Sequence, residues 1–347
     1  MGQDLTQSLC DQIKTAYDSE TPLAIHGGGS KHFLGQPLVG EALEIAGHQG
    51  IVNYQPVELV MTVRAGTPLA EVKQALADKG QCLAFEPPAL GENATIGGTI
   101  ATGVSGPARP YTGAARDYML GVRMINGRGE SLRFGGEVMK NVAGYDVSRL
   151  MTASHGTLGV ITEVSLKVLP LPKASVTVRF DASASDALEQ FNTWAGQPFP
   201  ISATAWLDDK AYVRLSGAAS AVEAAAAKLP GERVDDAIWD SLAELKAAPL
   251  AESDVLWRLS LPQTAPCDLS YAAIEWGGAQ RWYVGDLSES ELRAKVAEAG
   301  GHATLYRGQA ESVFHPLSPA MSALHQRIKS SFDPKGLFNQ SRFYREF

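Results

Sequence analysis

The stretch FEPPALGENATIGGTIATGVSGPARPYTGAARD, residues 85–117, decides how this chain is read. It is rich in Gly, Ala, Thr and Ser and has almost no helical or strand periodicity. Irregular runs of this length are uncommon in compact domains unless they are functional or disordered. This one lacks the polarity and charge of a disordered segment. Glycine lets a backbone approach a large flat group, and Ser and Thr add hydroxyls without bulk. The run is therefore expected to wall a cofactor site.

Upstream, an apolar strand at residues 22–25 leads into HGGGSKH, residues 26–32. Successive small residues after a strand turn their N–H groups inward as a nest suited to a pyrophosphate. The alternative is a tight surface turn, although three consecutive glycines carry a high entropic cost for a turn alone. Spacing excludes a P-loop, because Ser30 precedes Lys31, and a GxGxxG pattern, because His32 stands where its last Gly belongs. His26 and His32 lack the i, i+4 spacing of a helical zinc site and have no acidic or Cys neighbour, so no metal is expected.

Outward from there, residues 59–64 read as a strand. Thr67 and Pro68 open a helix as N-cap and first-turn proline, with Leu69, Val72 and Leu76 on its inner face and Gly80 as its stop. Residues 119–125 and 130–134 are strands joined by the hairpin signal Asn126-Gly127-Arg128-Gly129. MKNVAGYDVSRLM, residues 139–151, reads as a short helix. In residues 160–168, Val160, Thr162, Val164, Leu166 and Val168 alternate with Ile161, Glu163, Ser165 and Lys167, which predicts a strand with faces of different polarity. At the N-terminus, Leu5, Leu9 and Ile13 define a helix with Asp4 as its cap.

A chain of 347 residues is too long for one typical core, so two domains are expected. Pro170, Pro172 and Lys173 mark the boundary. Beyond it, the order strand, helix, hairpin, helix begins a ferredoxin-like unit, and a looser echo to residue 306 predicts a sheet in two halves covered by helices. A helix containing Met321, Leu324 and Ile328 then leads into a tail expected to return to the first domain. The net charge of −8 argues against nucleic acid as a partner. No apolar run is long enough to span a bilayer, and the N-terminus lacks the pattern of a signal peptide. Cys10, Cys82 and Cys267 are widely spaced, which fits a cytoplasmic location. Three cysteines are one short of the four ligands an iron–sulfur cluster takes.

These segments together resemble the vanillyl-alcohol oxidase, or PCMH-type, FAD-binding family. The likeness is carried in family order by AIHGGGSKHFLG, VRAGTPLAEV, FEPPALGENATIGGTIATGVSG, GAARDYMLGVRMINGRGE, KNVAGYDVSRLM, SHGTLGVITEVSLKVLP and the tail FDPKGLFNQSR. Within it, FEPP, VMKNVAGYD and GGHATLYRG are most similar to FAD-binding subunits of glycolate oxidase. The resemblance implies an α+β chain: a PCMH-type FAD-binding domain of two α+β subdomains (residues 1–172), a smaller ferredoxin-like cap domain (173–310) and a C-terminal segment (311–347) returning to the first.

For the site, the resemblance implies that His26, Gly27, Gly28, Gly29, Ser30, Lys31 and His32 bind the FAD pyrophosphate region. Thr95, Ile96, Gly97, Gly98 and Thr99 would line the dinucleotide, and Gly103, Ser105 and Gly106 would continue along the flavin. Gly159, Val160 and Ile161 would meet the adenine, and Asn339 would approach the isoalloxazine. Tyr111 and its neighbours include no His or Cys for covalent attachment, so non-covalent FAD is expected.

The implied function is a subunit of a glycolate oxidase (glycolate dehydrogenase) complex that oxidises glycolate or a related D-2-hydroxy acid to glyoxylate. Electrons would leave to a partner or external acceptor. A larger FAD-binding subunit and an Fe–S subunit are the implied partners, with membrane contact only through them. The alternative is a non-catalytic FAD relay or structural subunit whose sibling holds the substrate. The chain departs from the family in having Gln340-Ser341 where Pro-Gly is usual, and in lacking the close histidine pair of larger relatives after residue 173. The catalytic base is not assigned. Arg109 and Arg116 are candidates for the substrate carboxylate, with surface ion pairing as the alternative for both.

Overall fold

The structure is a computed structural model that describes residues 2–136 and 145–346. The chain divides into two compact units. The first comprises Met1–Val104, Ala114–Pro170 and Pro316–Phe347. Its strands are β1 (Leu23–His26), β2 (Glu41–Glu44), β3 (Ile51–Gln55), β4 (Val60–Arg64), β5 (Gln81–Cys82), β6 (Met119–Ile125), β7 (Ser131–Gly135), β8 (Val160–Lys167) and β9 (Leu169–Pro170). β1 and β2 form a parallel pair, while β3-β4-β8-β6-β7 form an antiparallel sheet. The helices Thr6–Ser19 and Leu69–Ala77 place Leu9, Ile13, Leu69, Val72 and Leu76 in one core with Met61, Val63, Val164 and Leu166.

Several local expectations shift. Leu5, not Asp4, holds the N-cap position of the first helix and makes no side-chain cap; the Asp4 carboxylate, one residue further out, accepts from the Thr6 N–H at 3.0 Å as an Asx turn. Thr67 does not cap its helix. Pro68 holds that position, and the Thr67 hydroxyl accepts from the Gly50 N–H at 2.8 Å. β8 is buried on both faces: Ile161 and Ser165 are covered as well as Val160 and Val164. The Ser165 hydroxyl is paired with that of Thr62 at 2.9 Å, which makes its burial tolerable. Residues 139–144 of the expected MKNVAGYDVSRLM helix lie outside the described residues; Val147–Met151 is helical, capped by Asp146.

The largest difference concerns residues 85–117. The run contains a helix at Ile96–Thr102, a short one at Arg109–Thr112 and a 3-10 turn at Ala115–Tyr118. The first helix is set by its ends. The Thr95 hydroxyl accepts from the Gly98 N–H at 3.1 Å, and Gly103 closes it in the left-handed region at φ 64°. Only Ile96 and Ile100 are large on its buried face, so helical periodicity is hidden in the sequence.

The second unit comprises Ser105–Gly113 and Leu171–His315. Its strands are β10 (Ala174–Asp181), β11 (Ile201–Leu207), β12 (Lys210–Gly217), β13 (Glu232–Val234), β14 (Leu256–Ser260), β15 (Tyr271–Glu275), β16 (Gln280–Tyr283) and β17 (His302–Arg307). They make one eight-stranded antiparallel sheet, β13-β10-β12-β11-β15-β16-β14-β17, whose first four and last four positions are two halves joined edge to edge. The join is the β11–β15 pairing, Ala205 with Glu275 and Trp206 with Ile274. Sequence pattern does not reveal β15. Helices Ala184–Ala195 and Ala219–Ala226 pack on one half through Phe191 and Val222, and Glu289–Glu298 on the other through Leu292 and Val296.

Candidate functional site

In the first unit, the end of β1 and the loop after it, the helix Ile96–Thr102, the His155-Gly156 turn, the start of β8 and the tail converge on a single cleft. Of the residues named from sequence, Gly27, Gly28, Gly29, Ser30, Lys31, His32, Thr95, Gly97, Gly98, Gly159, Ile161 and Asn339 line it. Ile96, Thr99 and Val160 are instead fully buried beneath it. The His26 ring packs edge-on against His32, with centroids 5.1 Å apart. Gly103 ends the helix, and Ser105 and Gly106 belong to the second unit, where the Gly106 carbonyl accepts from the Trp276 indole at 3.1 Å. Sequence reasoning missed Thr102, His155, Gly156 and Arg342 as lining residues. All four stand in quoted motifs, Thr102 in ATIGGTIATG, His155 and Gly156 in SHGTLG and Arg342 in FNQSR.

The glycines serve two different ends. A Cβ on Gly28 would fall 1.4 Å from the Asn93 carbonyl oxygen, so glycine there is imposed by the protein's own packing. A Cβ on Gly98 would meet only the Thr95 hydroxyl, at 3.2 Å, and would project into the cleft. That position is a cradle kept open for an occupant.

Among the described residues no Asp or Glu lines the cleft, so its charge there is one-sided. Arg342 is 4% exposed, and its guanidinium donates to the carbonyls of His32, at 3.0 Å, and Gln36. No carboxylate pairs with it among the described residues, and burial pulls it down to about 10. Lys31 is also buried, its ammonium donating to the Ala89 carbonyl at 2.8 Å. Burial, with the Arg342 charge, holds His155 at about 3, and burial, His26 and Arg342 push His32 down as well, so both rings are neutral. A buried cation without a counter-charge is costly. An anion in the cleft would relieve that cost, and a helical or nest-like array of N–H groups is the usual complement to phosphate.

Asn339 is a clamp more than a contact. Its Oδ1 accepts from the Ile25 N–H at 2.8 Å, its Nδ2 donates to the His155 carbonyl at 2.7 Å, and its own N–H donates to the Leu23 carbonyl at 3.0 Å. The tail is locked by a buried pair. Lys329 Nζ lies 2.7 Å from Asp333 Oδ2 and also donates to the carbonyls of Thr157 and Phe338, while Asp333 accepts from the N–H groups of Leu337 and Phe338. Every buried donor and acceptor of this lock is matched, which is the condition for a stable buried ion pair. The two arginines considered from sequence differ in setting: Arg116 is exposed beside Asp117, and Arg109 lies over the Trp276 ring, 4.5 Å from its centre.

Residues 5–135 match the FAD binding domain family. Over 345 residues, 99% of this chain and 98% of the relative, the chain is 46% identical to glycolate oxidase subunit GlcE of Escherichia coli (strain K12). The chain belongs to the GlcE family. It also shares 31% identity with glycolate oxidase subunit GlcD of Bacillus subtilis (strain 168), a likeness over 50% of this chain and 37% of that one. A solved alkyldihydroxyacetonephosphate synthase superposes with a TM-score of 0.67 at 16% identity, covering 95% of this chain and 74% of that chain, which bears on the fold alone. As a GlcE-family chain with a PCMH-type domain, the protein is a flavin-dependent oxidoreductase subunit and its cofactor is FAD. No helix among the described residues is long and apolar enough to cross a membrane.

Proposed function

We propose that this chain is an FAD-binding subunit of a glycolate-oxidising complex, acting on glycolate or a related D-2-hydroxy acid. The observation that carries the reading is the likeness to a glycolate oxidase subunit along 99% of the chain. FAD would be held without a covalent bond in the cleft of the first unit. Gly27, Gly29, Gly97 and Gly98 give it backbone to lie against, Thr95, Thr102 and Ser30 give hydroxyls, and Lys31 and Arg342 give the positive charge a pyrophosphate requires. When bound, the flavin supplies two-electron redox chemistry, and the protein supplies binding, orientation and electrostatics.

Electrons then leave to partners, a larger flavin subunit and an Fe–S subunit, or to an external acceptor. The test is to purify the chain, record its flavin spectrum and add glycolate without oxygen. Bleaching is the expected result. A yellow protein that stays yellow overturns substrate oxidation on this chain and favours a relay or structural subunit. Affinity purification from the native host reads the partners directly.

A further inference from the structure

We propose that Arg258 is a carboxylate-binding residue, the Nη edge of its guanidinium held open on the second unit's sheet for a small 2-hydroxy acid. The inference rests on the reading of the chain as a hydroxy-acid oxidoreductase subunit and names the group that takes the acid's charge.

Strand register assembles the site. Arg258 on β14 pairs with Trp282 on β16, Ser260 pairs with Gln280, and Glu275 on β15 also pairs with Gln280. The neighbours Trp257 and Leu259 belong to the helix-covered core, so alternation along β14 turns Arg258 to the other face. There its Nε donates to Gln280 Oε1 at 2.7 Å. Gln280 Nε2 in turn donates to Glu275 Oε2 at 2.9 Å, and the Trp282 indole donates to the same oxygen at 2.6 Å. Glu275, Gln280 and Trp282 are all buried. The Trp276 ring lies under the guanidinium, 5.0 Å from its carbon, and is itself pinned through its indole N–H to the Gly106 carbonyl.

Trp276 has φ 58°, followed by Gly277 at 64° and Gly278 at 104°. A bulky residue in the left-handed region is strained and persists only where its surroundings hold it. Here the Gly277 N–H donates to the buried Thr204 hydroxyl at 2.8 Å.

Nε is thus occupied and the guanidinium plane is fixed from the side and from below. The two Nη nitrogens make no hydrogen bond among the described residues, and Arg258 forms no ion pair there. Arg281 on β16 shows the contrast. It is fully buried, and its nitrogens donate to the carbonyls of Gly278, Ala265 and Pro266 and to the Tyr271 hydroxyl, which is a structural role. An oriented guanidinium with two parallel unclaimed donors fits a carboxylate in bidentate fashion, and lysine does not reproduce that fork.

The test is calorimetric titration of the full FAD-loaded chain with glycolate, oxalate, the uncharged glycolamide and inorganic phosphate, for the natural protein, Arg258→Met and Arg258→Lys. FAD content and melting temperature establish that each variant folds. The expected result is that Arg258→Met weakens glycolate and oxalate about 10- to 100-fold, Arg258→Lys weakens them less, and glycolamide binding does not change.

Equal oxalate affinity in Arg258→Met overturns the proposal while glycolate bleaching of the natural protein leaves the oxidoreductase reading standing. Phosphate binding as tight as glycolate overturns the carboxylate assignment. Arg258-dependent oxalate binding without bleaching supports the site and sinks oxidation on this chain. A natural chain that binds none of the acids overturns both.

Discussion

The cleft of the first unit and the Arg258 fork of the second are built by opposite means. The cleft is mostly main chain: the β1 loop, one short helix, the His155-Gly156 turn and the tail bring backbone and small side chains together. The fork is all side chain: Arg258, Glu275, Gln280 and Trp282 stand on three strands and meet only because the register aligns them. Main-chain sites are spoiled by adding atoms, whereas side-chain sites are spoiled by removing donors or loosening them. That difference orders the mutations by the size of their effect.

The largest effect is expected at Gly28. A Cβ at 1.4 Å from the Asn93 carbonyl oxygen cannot be absorbed by a rotamer change, because both partners are backbone. Gly28→Ala should cost more than about 4 kcal/mol, in the exceptional range for one substitution, and should yield colourless or insoluble protein. Urea melts and the flavin spectrum check it. A stable yellow Gly28→Ala would break the claim that packing dictates the loop.

Next comes the lock under the cleft. Asp333→Ala leaves Lys329 buried with only carbonyl partners and frees the N–H groups of Leu337 and Phe338. Breaking one side of such a pair costs about 3–5 kcal/mol. The double variant Lys329→Met with Asp333→Ala should recover some of that loss in urea melts, since no charge is then stranded. Double-variant stability no better than the single one would show that the lost backbone acceptors, not the charge, matter.

The same contrast explains what is readable from sequence. The HGGGSKH loop, the ATIGG segment and the GTLGVIT strand are legible because a main-chain site needs small residues in sequence-local runs. Arg342 in the tail escapes notice because the family pattern draws attention to Asn339, whose amide is committed to β1 and the His155 carbonyl. The helix at Ile96–Thr102 reads as irregular because caps, not periodicity, define it. In the second unit, Ile201–Leu207 and Lys210–Gly217 are legible as a hairpin, but β15 is not, and so neither is the β11–β15 pairing that joins the halves. Nothing local marks Arg258 as functional, because its partners lie 17 to 24 positions further along the chain.

A smaller, pH-dependent effect sharpens the account of the cleft's charge. His155 is held at about 3 against an ordinary 6.5, by burial and then by the Arg342 charge. The unfolded chain therefore binds the proton more readily, so this contribution to stability is present above pH 6.5 and is lost as pH falls toward 3. Each pH unit in that window removes about 1.4 kcal/mol, or about 2 kcal/mol between pH 6.5 and 5. His155→Asn, a residue that tolerates the φ of 50° found there, should flatten that portion of the slope in FAD-free protein. An unchanged pH profile would show that the ring is hydrated and titrates normally.

The smallest effect on binding is expected at Gln280, and it bears most directly on the fork. Gln280→Leu keeps the Arg258 charge and the Trp276 ring beneath it but removes the acceptor for Nε. It also removes the donor to Glu275, which keeps only the Trp282 indole, so two hydrogen bonds are lost, one of them to a charged guanidinium, and the stability loss should be about 2–3 kcal/mol. Oxalate affinity should fall only several-fold, roughly 3- to 10-fold, because the cation remains and its alignment alone is lost. Gln280→Glu should weaken oxalate more than Gln280→Leu despite similar size, since a carboxylate beside Nε competes for the same guanidinium. Calorimetry with the full chain separates the two variants. If both bind oxalate as the natural protein does, the network behind Arg258 orients nothing, and the second site is a single exposed cation with none of the built character that sets it beside the cleft.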